Sequence, residues 1–269
     1  MGCGRPMVRA EPRRIRSREG PGRYRDRAAE LGWVAWMRRR WDDAERHYRA
    51  ALGTLRALQD DPGRAAATLA LGEVAHYRGD LDTAERLYRD ALVIREKLGD
   101  AVGAARVAYV LGELAHLRER WDEAEGWFLR SLPAFTAVAD RSSLGTTHHA
   151  LGRLAEARSR YAEAESWYRQ ALADFEEAGN RPGTATSHGA LGSLAEIQGD
   201  LPAALEHVVR CVTQFDDFPN PGTGPGADHL RRLTTVLGLD ALTRTWTAVT
   251  GREPPASVRT FVDGATTRP

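Results

Sequence analysis

The stretch 71–91 reads LGEVAHYRGDLDTAERLYRDA, and 151–171 reads LGRLAEARSRYAEAESWYRQA. Each opens on Leu-Gly, carries a small residue four positions on, and ends on Ala, an aromatic and Ala again. The Leu-Gly pair stands at 31–32, 71–72, 111–112, 151–152 and 191–192, each 40 residues from the last with no insertion. In the same phase fall Ala35, Ala75, Ala115, Ala155 and Ala195, and later Ala44, Ala84, Ala124, Ala164 and Ala204. The aromatic column runs Tyr48, Tyr88, Phe128 and Tyr168, with Val208 as a weaker fifth member. Self-similarity at a fixed period of this size is the signature of a stacked array of supersecondary units.

Apolar residues at helical spacing place a first helix over 64–79 and a second over 82–98, joined by Arg78-Gly79-Asp80. Glycine and alanine at fixed positions let neighbouring helices approach, and the aromatic of the second helix fills the space opposite them. One helix pair would leave a face bare, so the units must stack to bury a continuous core. Breakers at Asp61-Pro62-Gly63, Gly99-Asp100, Asp140-Arg141 and Asn180-Arg181-Pro182-Gly183 are read as the turns between units.

The order Gly72, Ala84, Tyr88, Ala91, repeated as Gly152, Ala164, Tyr168, Ala171, resembles the tetratricopeptide repeat. The usual repeat has about 34 residues; the longer period here resembles the repeats of kinesin light chains and of the C-terminal regions of bacterial antibiotic-pathway regulators. The resemblance covers residues 22–218 and departs from the family at its early Trp, replaced by Ala28, Thr68, Ala108, His148 and His188. It implies an all-α fold, a right-handed α-solenoid of five stacked helix–turn–helix repeats with a C-terminal helical cap. The expected organisation is a disordered basic tail over 1–20, the array over 21–218, a Pro/Gly linker over 219–226 and capping helices over 227–264. Loss of the aromatic in the fifth unit, which ends in Cys211, predicts looser packing there.

Bulk composition bounds the function. The 269 residues, 42% apolar and 28% charged, provide ample core material. The formal net charge of +1 hides nine Arg within residues 1–27, facing only Glu11, Glu19 and Asp26. Such a tail could touch nucleic acid by charge alone, but no recognition module accompanies it, and a solvated extension is the preferred reading. Lys97 is the single lysine, an arginine bias that fits a bacterial source with a GC-rich genome. Cys3 and Cys211 form no disulfide framework or metal spacing, no apolar run reaches the length of a membrane span, and no apolar segment follows the N-terminal arginines. A cytoplasmic protein is expected, with no membrane association.

The first helices of tetratricopeptide arrays line a concave groove, so the resemblance sorts residues into groove columns. One is Trp33, Glu73, Glu113, Arg153 and Ser193; the next is Trp36, His76, His116, Glu156 and Glu196; an earlier one is Ala29, Leu69, Tyr109, His149 and Gly189. The expected partner-binding residues are Trp33, Trp36, Glu73, His76, Tyr109, Glu113, His116, His149, Arg153 and Glu156. Aromatics would supply burial and charges would set register for an extended or helical peptide.

A sharper chemistry competes with this reading. Glu73-x-x-His76 and Glu113-x-x-His116 repeat the spacing that di-iron bundles use, but such a site needs carboxylates from two more helices, and an open groove has none. No metal or other cofactor is expected, and those four residues stand only as outside candidates for one. Phe218-Pro219-Asn220-Pro221-Gly222-Thr223-Gly224-Pro225-Gly226 lacks the Lys-Ser/Thr of a phosphate loop and is read as a linker. No Ser or Cys has a nucleophile elbow or a spaced partner, so an enzyme is not expected. Trp41, Trp121, Trp127 and Trp167 are read as packing. The expectation is a protein- or peptide-binding scaffold or adaptor. A sensory module binding a small signal peptide or metabolite is the alternative, and a metal-binding or enzymatic groove ranks third. Self-association is left open.

Overall fold

The computed structural model describes residues 22–264, so the basic tail over 1–20 lies outside the described residues. The chain divides into two compact units, Met1–Ile94 and Arg95–Pro269. The described part of the first contains α1 (Gly22–Met37), α2 (Trp41–Ala57), α3 (Asp61–Tyr77) and most of α4 (Leu81–Lys97), within which the division falls. The second contains α5 (Ala101–Leu117), α6 (Trp121–Ala137), α7 (Arg141–Ala157), α8 (Tyr161–Glu177), α9 (Arg181–Ile197) and α10 (Leu201–Val212). A 3₁₀ turn at Pro221–Thr223 leads to α11 (Gly226–Leu237), α12 (Leu239–Thr250) and α13 (Ala256–Asp263). The fold is all-α, a solenoid of helix–turn–helix repeats, with no strand among the described residues.

The 40-residue period resolves into two identical halves. Helices α2 to α9 each have 17 residues and are separated by three-residue turns. The turn chemistry explains this regularity. The middle residue of each turn is left-handed: Gly79, Gly99, Gly179 and Gly199 at φ between 64° and 82°, Arg39, Gln59, Glu119, Ala139 and Ser159 between 51° and 57°. The residue after it donates its backbone N–H to a carbonyl five positions back, as from Asp80 to Ala75 at 2.9 Å and from Asp140 to Phe135 at 3.0 Å. This is the six-to-one bond that closes a helix whose last residue is followed by a left-handed one. The same residue then opens the next helix. Asp60, Asp100, Asp140, Asn180 and Asp200 accept a hydrogen bond from the backbone N–H three positions on, at 2.8–3.1 Å. One residue thus terminates one helix and caps its successor, which leaves room for only two others in the turn.

That economy corrects the expected boundaries. Asp61-Pro62-Gly63 and Arg181-Pro182-Gly183 are not connecting turns but the first turns of α3 and α9. Proline there lacks an N–H that would have no intrahelical partner anyway, and its fixed φ suits a helix start. Arg40, Arg120 and Arg160 offer no side-chain cap; acids in the first turn of the helices they precede, such as Asp42, Asp122 and Glu163, face the positive end of the helix dipole instead.

Within each repeat the two helices meet at the Leu-Gly glycine. An ideal Cβ on Gly72 would lie 2.6 Å from the Tyr88 ring, one on Gly112 2.5 Å from Phe128, and one on Gly152 2.5 Å from Tyr168. Gly32 against Tyr48, at 2.7 Å, is the same contact in the first repeat. Only hydrogen at Cα lets the ring lie flat on the helix backbone. In the fifth repeat Gly192 faces a Val208 methyl at 3.0 Å.

Arginines at one position tie successive repeats within each unit. Arg78 pairs with Asp42 at 2.8 Å and with Glu45, and Arg158 repeats the pattern with Asp122 at 2.9 Å and Glu125 at 3.1 Å. The fifth repeat is not loose. Val208 and Cys211 are buried, and Leu205, Val208, Val209 and Val212 form one core with Leu230, Leu233, Leu242, Trp246, Val258 and Val262. The apolar faces of α11, α12 and α13 join α10 in that core and cover the fifth repeat.

Gly152→Ala should lower unfolding free energy by about 1–3 kcal/mol through overpacking against Tyr168. Gly192→Ala should cost less, because the added methyl meets one Val208 methyl at 3.0 Å and the Ala204 carbonyl at 3.3 Å rather than a ring face, and helix propensity returns about 1 kcal/mol. Urea unfolding of the two variants checks this, and equal losses would show that ring contact is not what demands glycine.

Candidate partner-binding groove

In the first unit, Trp33 is exposed while Trp36 is half-buried. Trp36 meets Trp41 edge-on at 6.4 Å and Tyr77 edge-on at 5.6 Å, and Tyr77 stacks on Trp41 at 5.3 Å. Tyr77 itself is 60% exposed, so this aromatic cluster presents surface outward. The Trp36 indole N–H is buried without an acceptor among the described residues. Trp41, read from sequence as packing, belongs to that same cluster.

Glu73 and His76 lie one turn apart on α3. Burial pushes the Glu73 carboxyl above its ordinary range. Burial, and then the Glu73 charge, raise the Tyr48 phenol to about 12 and push Tyr88 up as well. Tyr88 Oη sits 3.5 Å from His76 Nδ1.

In the second unit the groove columns converge on Arg153. Its guanidinium lies 3.5 Å from Glu113, one repeat earlier, and borders two open cavities. One cavity, of about 380 Å³, is walled by His116, Glu156, Tyr161 and Ile197. The other, of about 280 Å³, is walled by His149, Tyr168, Ser193, the 223–226 loop and His229. His149 lies against the Tyr168 ring at 5.1 Å; burial, then Arg153, lower its pKa to about 4, so the imidazole is neutral at pH 7. His116 meets Trp121 edge-on at 5.2 Å and is shifted downward by the same two causes in the same order. Tyr109 packs against Phe128 at 5.7 Å, buried enough that its phenol is held well above the usual range.

A register within this surface was not anticipated. In the second and fourth repeats the hydroxyl of the core tyrosine reaches the first-helix residue twelve positions before it: Tyr88 meets His76, and Tyr168 donates to Glu156 at 2.6 Å. In the third repeat the aromatic is Phe128, and His116 Nδ1 there is buried with no partner among the described residues. Tyrosine rather than phenylalanine in the core column was the available signal. Sequence reasoning also missed the end wall. The segment read as a linker folds against α9, and His229 on α11 bonds Glu196 at 2.9 Å beside Arg232 at 2.6 Å. Burial alone would raise the Glu196 carboxyl; Arg232 and His229 overcome it and hold the group low.

Two further histidine pairs sit apart from these columns. His148 lies 2.7 Å from buried Asp174, which also meets Arg141 at 3.1 Å, and stacks on Trp167 at 5.5 Å. His188 and His207 face each other through Nδ1 at 3.2 Å, and burial followed by the His207 charge brings His188 down to about 4. Both histidines, 148 and 188, stand where the family carries its early Trp. Among the described residues no group of three or more His, Cys, Asp or Glu is placed to hold a metal. No helix of the described residues is long and apolar enough to cross a membrane.

Paired 17-residue helices with a small-residue seam and a polar first-helix face define a helical repeat protein of the solenoid class. The chain belongs to the tetratricopeptide repeat family, whose model matches residues 24–97, 63–137, 103–177 and 143–216. Among solved structures it is similar to the apo form of RapI, with a TM-score of 0.69 at 16% identity over 87% of this chain and 66% of that one. It is also similar to a Rap protein complexed with competence and sporulation factor, at 0.64 and 15% over 90% and 67%. A signal transduction ATPase with a tetratricopeptide repeat sensor from Pyrococcus horikoshii gives 0.67 and 13% over 85% and 36%. The chain thus spans less than two thirds of RapI and about a third of the archaeal protein. No curated protein matches the sequence.

The buried imidazoles set an acid dependence. His149 and His188 bind protons less readily when folded than when unfolded, so stability is full above about pH 6.5 and is lost as pH falls toward 4. His116, His207 and His229, also shifted down, act in the same direction, while Glu73, shifted up, acts against them. Urea midpoints measured from pH 7.5 to 4.5 should fall steadily, and the His149→Gln/His188→Gln variant should flatten the slope; an unchanged slope would mean these rings are not held neutral.

Proposed function

We propose that this chain is a non-catalytic scaffold that binds an extended or helical segment of a protein partner along its first-helix face. The observation that carries this reading is the Arg153 region. A half-exposed cation stands between two open cavities, each walled by residues of the groove columns and each mixing neutral imidazole and hydroxyl with aromatic surface, with the Glu156 carboxylate in the wall of the larger. Such a lining can meet backbone amides and side chains of either polarity, with Arg153 and Glu113 setting register. The proposed contacts are Trp33, Trp36, Glu73 and His76 in the first unit, and Tyr109, Glu113, His116, His149, Arg153 and Glu156 in the second. The reading assigns the protein to the cytoplasm and needs no cofactor.

A second reading, a sensory module that recognises a small signal peptide or metabolite, is favoured by the end wall of the His149 cavity. A pocket of about 280 Å³ is closed on one side by the 223–226 loop, which suits a short ligand better than a through-running one. The Rap protein solved with competence and sporulation factor and the archaeal sensor give this reading its precedent of fold.

Selection of a random-peptide library on the purified chain should enrich a shared motif. Arg153→Glu and Glu113→Arg should each weaken a peptide held by the second unit at least tenfold, about 1.4 kcal/mol, with helicity unchanged by circular dichroism. Peptides that bind both variants as well as the parent would place the contact surface elsewhere.

A further inference from the structure

The second, fourth and fifth repeats each bury their Leu-Gly leucine and the aliphatic residue three positions on beneath the second helix of the preceding repeat. Leu71 and Val74 lie under Ala44 and Tyr48, Leu151 and Leu154 under Ala124 and Phe128, Leu191 and Leu194 under Ala164 and Tyr168. The exposures show how complete the cover is: 6% and 1% for the first pair, 2% and 1% for the second, 3% and 1% for the third. The same two positions on α1 are Leu31 at 42% and Val34 at 37%, next to Met37 at 57%. The face has the residues of an internal interface, and among the described residues no helix covers it.

The stretch that would supply that helix in register is 1–17. It places Gly4 and Val8 where the covering helices have alanine and the aromatic, but Pro6 and Pro12 fall at helix-interior positions and five arginines lie among them. Each interior proline costs a helix about 3 kcal/mol. A stripe this apolar is rarely left bare, and solenoid ends are normally covered.

Charge complementarity names the occupant. Glu30 and Arg38, both exposed, flank Leu31, Val34 and Met37 on one stripe of α1. Antiparallel pairing of α1 with a second α1 about a two-fold axis at Val34 sets Glu30 against the partner's Arg38, Leu31 against the partner's Met37, and Val34 on itself. Isologous contacts of this kind close at two subunits. We propose that the outer face of α1 is a self-association surface, on which a second copy of this chain replaces the covering helix that the repeat pattern calls for. The proposal is independent of what the groove binds.

Sedimentation of the full chain at about 50 µM, above a micromolar-class dissociation constant, should show a dimer. Glu30→Arg should weaken it at least tenfold, and Glu30→Arg/Arg38→Glu should restore it; the paired exchange keeps the test meaningful if a single variant folds poorly. In a Cys3→Ser background, Val34→Cys should form a disulfide-linked dimer on mild oxidation, since the remaining thiol, Cys211, is buried. A wild-type monomer would overturn the proposal, as would a dimer indifferent to Glu30 and Val34. So would a chain that becomes dimeric only when residues 1–21 are removed, which would show that the chain's own segment covers α1.

Discussion

A missing Cβ holds this fold together. In four of the five repeats an aromatic ring of the second helix rests on the glycine of Leu-Gly at a distance that no side chain could share. Van der Waals attraction falls steeply over fractions of an ångström, so a ring seated on bare backbone gains contacts along its whole face. The alanines of the same phase work likewise, buried to within a few per cent of complete cover along α2 to α10. Small residues set the helix separation, and the aromatic then has one place to go. Its tyrosine form has a second consequence, because a ring fixed on the glycine delivers its hydroxyl to the first-helix face. Core packing and groove chemistry are therefore coupled through Tyr88 and Tyr168, while Phe128 breaks the coupling in the repeat between them.

The other constraint is the shared turn residue. Asp100 illustrates it: its N–H closes α4 onto Arg95, and its carboxylate caps α5 at Gly103. The capping bond from the Gly103 N–H, together with a pair to Arg95 at 2.5 Å, keeps its carboxyl below the ordinary range. Because one residue does both tasks, neither helix can lengthen without taking the cap from the other. Left-handed φ at the preceding position is the strain this demands. Glycine meets it freely at four turns, whereas Arg39, Gln59, Glu119, Ala139 and Ser159 bear about 1 kcal/mol each.

Much of the fold was legible because the period repeats five times in one phase, and every column confirms the others. Boundaries were less so: polar Asp61-Pro62-Gly63 reads as a break by composition, yet a capped helix start has that same composition. The groove columns followed from the family resemblance laid on the phase, and phase says nothing of depth. It did not reveal that Trp36 is half-buried against Trp41 and Tyr77, nor that His149 sits on Tyr168 while its neighbour His148 turns to Asp174. Contacts such as the 223–226 loop on α9, and His229 with Glu196, join segments outside the period, and no repeat pattern encodes them.

Proton chemical shifts read the contact of ring against glycine directly. In a nuclear magnetic resonance spectrum of the folded chain, the Hα protons of Gly32, Gly72, Gly112 and Gly152 should be displaced upfield by ring current and show cross-relaxation to the rings of Tyr48, Tyr88, Phe128 and Tyr168, while Gly192 should show neither. Ordinary shifts at those four glycines, or an upfield shift at Gly192 as well, would contradict the account.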